Sequence, residues 1–230
     1  MARGPFLLDP PPGFQGFDPW KSVRVYRRNL PHWRQDGATY FVTFRLADAL
    51  PAKCLREIAR AKAAWEREHP EPRSDEDWRE YAQLITRREE QWLDRGHGKC
   101  WLAQPEHAGR IVSALTKFDS QRLHLGAYAV MPNHVHVIVR PLPGHELDAI
   151  TKGWKGYTAR EINEAVSRRG TLWQEESYDT IIRDAEHLYR VIRYIGDNPQ
   201  KAGLARRCPL WVRKDWSDAG FRFRKEGDEP

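Results

Sequence analysis

The chain has 230 residues, a formal net charge of +6 and a pI near 9.3. This length allows one domain with a real hydrophobic core that needs no disulfides. The three cysteines are odd in number and form no C-x-x-C pair, which argues against a disulfide framework and against a cysteine zinc knuckle. The N-terminus lacks the apolar core of a signal peptide, so we expect a cytoplasmic protein without a membrane span.

Positive charge is concentrated in two runs that contain no acid, Lys21–Arg34 and Lys201–Lys214. Each run holds five Lys or Arg residues and at least one aromatic residue. Basic side chains that follow phosphates, next to rings that stack on bases, are typical of single-strand nucleic-acid binding. A solvated basic face explains either run alone equally well.

The first half of the chain is predicted to contain an arm, a strand and helices. Residues 1–20 are rich in Pro and Gly and predict an irregular arm. Ala38–Leu46 alternates like a strand and is rich in β-branched and aromatic residues. Helical spacing of apolar residues predicts helices over Pro51–Glu68, Asp75–Asp94 and Pro105–Arg122. Ten acids against five arginines in Glu66–Asp94 make a poor DNA surface, so we expect this segment to lie away from a substrate.

Leu125–Pro141 contains two strand-like runs on either side of Pro132-Asn133, a pair that favours a turn. We therefore predict a central β-hairpin. Two further helices are predicted over His145–Ser167 and Asp184–Asp197, the second ending before Pro199.

This element order favours an α+β fold: a ferredoxin-like antiparallel sheet with helices and an extra helical insertion after the first strand. The main domain is predicted over residues 21–205, with the helical expansion at about 66–95. Residues 206–230 are predicted to form a basic C-terminal extension.

His134 and His136 are two residues apart in the second strand of the predicted hairpin. Because side chains alternate along a strand, Val135, Val137 and Val139 make one buried face. The two histidines then project side by side from the opposite face, where two imidazoles can share one divalent cation. The alternative is a pair of polar residues on a half-exposed strand.

The following helix offers a reactive group and a further ligand. Its residues Ile150, Trp154, Tyr157 and Glu161 share one helical face. If that face packs over the sheet, the phenol and the carboxylate both approach the histidines. An amphipathic core stripe is the alternative, although a buried carboxylate needs a partner such as a metal ion.

An H-x-H strand followed by such a helix resembles the single-tyrosine HUH endonucleases. Six segments in family order, together spanning Arg27–Leu204, resemble the REP-associated tyrosine transposases. They are RRNLPHW, GATYFVTFRL, YAVMPNHVHVIV, KGYTAREIN, LWQEESYDTIIRD and RYIGDNPQKAGL.

This resemblance implies that His134 and His136 bind Mg²⁺ or Mn²⁺, and the imidazole pair favours Mn²⁺. It implies Tyr157 as the nucleophile of a 5′-phosphotyrosine intermediate, with Tyr178 as the rival. Glu161 takes the position of a third ligand. Related enzymes often use an amide there, which keeps Asn163 as the weaker candidate.

The resemblance also implies a partner, which is single-stranded DNA beside palindromic hairpins, and a nucleoid-associated, cytoplasmic protein that works as a monomer, with a dimer as the alternative. Two other functions stay open: a catalytically silent hairpin-binding protein and a zinc hydrolase that uses the H-x-H pair. Nucleic-acid contacts are predicted at Arg27, Arg28, Trp33, Lys152, Lys155, Arg160, Trp173, Arg183 and Lys201.

Overall fold

The computed structural model describes residues 6–93, 95–204 and 207–224. Within these ranges the chain forms strands and helices that alternate along the sequence. The strands are β1 (Arg24–Arg27), β2 (Pro31–Arg34), β3 (Tyr40–Arg45), β4 (Leu123–Val130), β5 (His134–Pro141), β6 (Tyr178–Ile181) and β7 (Leu210–Val212). The helices are α1 (Ala52–Glu68), α2 (Asp75–Leu93), α3 (Pro105–Thr116), α4 (Leu147–Ala165), α5 (Ala185–Lys201) and α6 (Lys214–Asp218).

Five strands form one antiparallel sheet in the order β6-β3-β5-β4-β7, and β1 pairs with β2 in a separate hairpin. The predicted α+β class with an antiparallel sheet is confirmed. Two helices, α1 and α2, follow the first strand of the sheet, at the predicted insertion. The order β3, helices, β4, β5, α4, β6 is a β-α-β-β-α-β connectivity, which supports the ferredoxin-like arrangement as a proposal.

The sheet buries both of its faces, so β5 carries apolar side chains on each side. Val135, Val137 and Val139 share a hydrophobic core with α3 and α4, and we call this side the α3–α4 face. Ile138 packs with α5 on the other side, which we call the α5 face. Alternation places His134 and His136 on the α5 face, as the sequence predicts.

The structure differs from the predicted elements at several places. The β1–β2 hairpin precedes Ala38, where the sequence predicts no strand, because these short strands are rich in basic residues and show no apolar alternation. Helix α3 ends at Thr116 instead of Arg122, and the chain then turns into β4 with Ser120 at φ 64°. Helix α5 continues through Pro199, which lies in the last turn, where its missing N–H removes a single hydrogen bond.

Both ends of the described chain pack beside α5. Phe6, Leu8 and Phe14 of the predicted arm contact the core on the α5 face. Part of the predicted C-terminal extension forms β7 and pairs with β4, whereas Arg206 and residues 225–230 lie outside the described residues, as does Asp94. The domain boundaries stay a prediction. Within the described ranges, no helix combines the length and apolarity needed to cross a bilayer.

Candidate metal and nucleophile site

The histidine pair, His134 and His136, lies at the start of β5 on the α5 face. Both residues are only 1% exposed, and their Nε2 atoms lie 3.0 Å apart. Burial lowers the pKa of His134 to about 3. Burial and the neighbouring His134 also hold the pKa of His136 well below its ordinary value. Both imidazoles are therefore neutral near pH 7, which is the state in which ring nitrogens bind metals.

Asn133 orients the ring of His134. Its Oδ1 lies 2.8 Å from His134 Nδ1, while its Nδ2 donates to the backbone oxygens of Leu93 and His97 at 3.3 and 3.1 Å. The two carbonyl oxygens fix the amide, so its oxygen faces His134. Because that oxygen can only accept, His134 carries its proton on Nδ1 and keeps a lone pair on Nε2.

Three side chains surround His136 on the α5 face. Thr43 Oγ1 lies 2.8 Å from its Nδ1, and the ring of Phe41 stacks on it at 5.5 Å between centroids. Tyr194 of α5 meets the imidazole edge-on, with ring centroids 5.4 Å apart. The Oη of Tyr194 is buried, and Lys201 Nζ lies 5.8 Å from its ring centroid. The tyrosine that touches the histidine pair thus comes from α5.

Asn198 lies one helical turn after Tyr194. It is fully buried, and neither atom of its side-chain amide has a hydrogen-bond partner in the described part of the chain. Strand β6 runs parallel to β5, and α5 turns back from the end of β6. Helix α5 therefore runs against the direction of β5, which places Asn198 on the His134 side of Tyr194.

Among the described residues, no group of three His, Cys, Asp or Glu side chains could hold a metal ion. Amides and phenols are other kinds of side chain that can donate to a cation. Tyr194 and Asn198 are of these two kinds.

The part of the chain that contains the histidine pair matches a known family model. Residues 106–198 match the family model described as "Transposase IS200 like". This segment is similar to the IS200-like transposases. It contains the histidine pair, Tyr194 and Asn198, so the predicted resemblance to tyrosine transposases is confirmed for this part of the chain. No curated protein matches the chain.

Two solved structures are also similar to this chain. One is a REP-associated tyrosine transposase bound to a REP hairpin, with 17% identity, 78% coverage of this chain, 74% of that chain and a TM-score of 0.37. Another is a candidate transposase from Deinococcus radiodurans R1, with 16% identity, 77% and 97% coverage and a TM-score of 0.32. Because both identities are low, neither likeness assigns a function to this chain.

The predicted approach of Tyr157 and Glu161 to the histidine pair is wrong. In the IS200-like segment, α4 packs through Leu147, Trp154 and Ile162 on the α3–α4 face, across the sheet from the histidines. Tyr157 is 38% exposed and borders a groove between α3 and α4. Helical spacing defines the face of a helix, but it does not define the side of the sheet on which that helix lies.

The two weaker candidates, Tyr178 and Asn163, are engaged in other contacts. Tyr178 lies in β6 with its ring 6.5 Å from Phe41, and burial raises its pKa to about 12. Asn163 donates to the Gly170 carbonyl oxygen, and its own Oδ1 accepts from Arg168. The burial of Tyr178 and the hydrogen bonds of Asn163 favour structural roles for both residues.

Helix α2 lies against the histidine end of the sheet, whereas its acidic composition predicts a position away from a substrate. Glu89 pairs with Arg45 at 3.5 Å, and Arg45 lies opposite His134 in the strand register. Leu93 at the end of α2 accepts the hydrogen bond from Asn133. Because Glu89 is paired and turned inwards, the acidic composition of the helix does not predict which side faces the site.

The predicted nucleic-acid contacts lie at separate places. Arg28, Lys152 and Lys155 line one cleft between the β1–β2 hairpin and α4. Arg160 lies beside Tyr157, with its guanidinium 6.0 Å from the ring centroid, and Lys201 lies beside Tyr194. The basic residues therefore do not form one continuous path.

Four further predicted contacts have other surroundings. Trp173 is 4% exposed and donates its Nε1 proton to Thr158, so its predicted contact with nucleic acid is wrong. The Arg27 guanidinium lies 4.6 Å from the ring centroid of Trp78. Trp33 is half-buried against the core of the α3–α4 face. Arg183 is exposed, and its backbone oxygen accepts from the N-terminal arm.

A second buried polar cluster joins β2 to β6 and α4. His32 contacts Asp179 at 2.6 Å and Glu176 at 3.1 Å, and Arg34 pairs with both Asp179 and Asp148. Burial by itself lowers the pKa of His32, but its hydrogen bonds with the two carboxylates raise it to about 9. The sequence gives no sign of this cluster, because His32 and Arg34 stand in a basic run that indicates phosphate binding.

Proposed function

We propose that this chain cleaves and rejoins single-stranded DNA through a covalent tyrosine–phosphate intermediate, with Tyr194 as the nucleophile. The observation that carries the proposal is the contact between Tyr194 and His136, whose ring centroids are 5.4 Å apart on the α5 face. The IS200-like sequence of residues 106–198 supports a transposase-type role. Tyr194 and Asn198 repeat the tyrosine-plus-amide spacing that the family resemblance implies.

The donor set fits a divalent cation, which we propose to be Mg²⁺ or Mn²⁺. Two ligands bound at about 2.1 Å and at a right angle lie about 3.0 Å apart, which is the Nε2 separation in the histidine pair. The buried amide of Asn198, which has no hydrogen-bond partner among the described residues, supplies a third donor, since such a group calls for a bound ion or water. Imidazole ligands favour Mn²⁺ over Mg²⁺.

When bound there, a divalent cation would polarise a phosphate oxygen and stabilise the charge of the transition state. The protein's own groups perform the remaining work. Asn133 and Thr43 keep the two imidazoles in place through their Nδ1 atoms. The Lys201 ammonium beside the Tyr194 ring favours negative charge on the phenol oxygen.

In the proposed reaction, the Tyr194 oxygen attacks the phosphorus of one phosphodiester as its proton leaves. The new O–P bond forms, the bond to the 3′ oxygen breaks, and that oxygen takes up a proton to become a 3′-OH. The 5′-phosphotyrosine bond retains the energy of the broken ester, so the reverse attack by a 3′-OH rejoins DNA without ATP.

The proposed substrate is single-stranded DNA next to a palindromic hairpin, the partner that the family resemblance implies. The histidine pair, Tyr194 and Asn198 all come from one chain, which supports a monomer as the catalytic unit. Because the Tyr194 oxygen is buried, the end of α5 or its neighbours must shift before a phosphate reaches it.

A covalent-adduct assay with a labelled hairpin oligonucleotide and Mn²⁺ tests the proposal. We expect the wild type to form an adduct that resists denaturing electrophoresis and Tyr194→Phe to form none, because the phenol oxygen is the only atom removed. Tyr157→Phe and Tyr178→Phe are matched controls and should keep the adduct. Persistence of the adduct in Tyr194→Phe would move the nucleophile to another residue.

A further inference from the structure

A row of alternating cations and aromatic rings runs from the α3–β4 connection to α4. Its members, in order, are Arg122, Phe118, Lys117, Tyr157 and Arg160. Arg122 Cζ lies 4.0 Å from the Phe118 centroid, and Lys117 Nζ lies 5.4 Å from the same centroid. On the other side, Lys117 Nζ and Arg160 Cζ each lie 6.0 Å from the Tyr157 centroid. We call this row the α3–α4 strip.

The charge of the three cations of the strip is only partly offset by acids. Within the described ranges, Lys117, Arg122 and Arg160 form no ion pair, and all three side chains are exposed. Two acids near the strip are neutralised elsewhere. Glu146, which borders the same groove, pairs with Arg24 at 2.9 Å, and Asp119 pairs with Arg213 at 2.5 Å. Glu161, one turn after Tyr157, offsets one of the three cations, so the strip keeps an excess of positive charge and is complementary to a polyanion.

The rings of the strip specify which polyanion fits. Tyr157 is among the few large aromatic residues of the described chain that have more than a third of their surface exposed. A tyrosine on the core side of α4 would be buried instead. The groove beside it has an apolar floor that includes Ile150 and Trp154. Exposed rings between cations bind unpaired bases by stacking while the cations pair with phosphates. A duplex hides the faces of its bases, so it cannot use the rings.

We propose that the α3–α4 strip binds an unpaired stretch of the DNA substrate, at a distance from the reacting phosphate. The strip lies on the α3–α4 face, whereas the histidine pair and Tyr194 lie on the α5 face. One strand reaches both places only by passing around an edge of the sheet. The strip then anchors the flanking strand while the other face performs chemistry. This inference rests on the proposed function for the identity of the nucleic acid as DNA.

Binding of a fluorescent oligothymidine in EDTA tests the strip without involving metal or cleavage. The double variant Phe118→Leu/Tyr157→Leu should bind at least about thirtyfold more weakly, since two base–ring stacks are lost. The triple variant Lys117→Gln/Arg122→Gln/Arg160→Gln should lower the salt slope of binding by about two, because three phosphate contacts are lost. Tyr157→Phe should bind like the wild type, because it keeps the ring.

The matched control removes three exposed cations from α1 by Lys53→Gln/Arg56→Gln/Arg60→Gln and should leave binding nearly unchanged. Thermal unfolding of every variant shows whether it is folded. The proposal is overturned if folded strip variants bind the oligothymidine no more weakly than the α1 control. It is also overturned if the ring variant loses affinity for a blunt duplex as much as for the single strand. Failure of the proposed function has a different signature, which is wild-type binding without any covalent adduct.

Discussion

Helices α4 and α5 each carry a tyrosine followed one turn later by a polar residue, yet only α5 lies on the histidine face of the sheet. On α4 the two residues are Tyr157 and Glu161, and on α5 they are Tyr194 and Asn198. The spacing is identical, but Tyr157 borders a solvent-exposed groove and Tyr194 contacts His136. The side of the sheet, and not the spacing within a helix, decides which tyrosine can serve the histidine pair.

The connections between strands explain why the two helices lie on opposite sides. Helix α4 links β5 to β6, which run parallel with β3 between them, so α4 crosses one face of the sheet. Helix α5 starts after β6 and returns over the other face, where its apolar residues meet Ile138. This difference becomes visible only when the strand order is known, because handedness rules act on the sheet as a whole.

Removal of both histidines should have the largest effect and should affect one face alone. We expect His134→Ala/His136→Ala to abolish Mn²⁺ binding in calorimetric titration and to reduce adduct formation at least about a hundredfold. Binding of oligothymidine in EDTA should persist, because the α3–α4 strip lies across the sheet. His145→Ala, which removes an exposed histidine, is the control. Undiminished Mn²⁺ binding by the double variant would place the cation elsewhere.

Local patterns predicted much of the fold and half of the site. Alternation in β5 placed the histidines on one face and the valines on the other, because a strand buried between two helical layers has a strict period of two. The hairpin turn at Pro132-Asn133 was also predictable from residue type. These features depend on a few neighbouring residues, and the structure agrees with them.

The rest of the site depends on long-range contacts that no local pattern specifies. Tyr194 and Asn198 stand in a helix whose apolar spacing looks ordinary, and their signal was the amide one turn after the tyrosine. Trp173 lies in a sequence block that resembles the family and was predicted to contact nucleic acid, but its side chain is buried. Helix α2 is acidic in composition, although its buried Glu89 is neutralised by Arg45 from the sheet. Composition does not show which of its acids point inwards.

The second-largest expected effect is the pH dependence of stability that His32 causes. Its pKa is raised, whereas the pKa values of the histidine pair are lowered, so the two groups should respond to pH in opposite ways. The pKa of His32 in the folded chain is about 9, above the ordinary value of 6.5, so its stabilisation is fully present below pH 6.5. As pH rises to 9, the free energy of unfolding should fall by about 3 kcal/mol. Urea unfolding between pH 6 and 9.5 measures this. His32→Gln should be less stable at pH 6 and should lack the decline, and an equal decline in that variant would assign it to other groups.

The smallest expected effect concerns Asn133, which connects α2 to His134 on the α5 face. Asn133→Ala should weaken Mn²⁺ binding about tenfold to a hundredfold, because His134 loses the acceptor that keeps its proton on Nδ1. Asn133→Asp retains an acceptor oxygen but loses the two hydrogen bonds to Leu93 and His97, so it should keep most of the Mn²⁺ affinity and lose stability. If Asn133→Ala binds Mn²⁺ like the wild type, the hydrogen bonds of Asn133 do not position the His134 ring. Oligothymidine binding in EDTA should be the same in all three proteins, since none of these bonds reaches the α3–α4 strip.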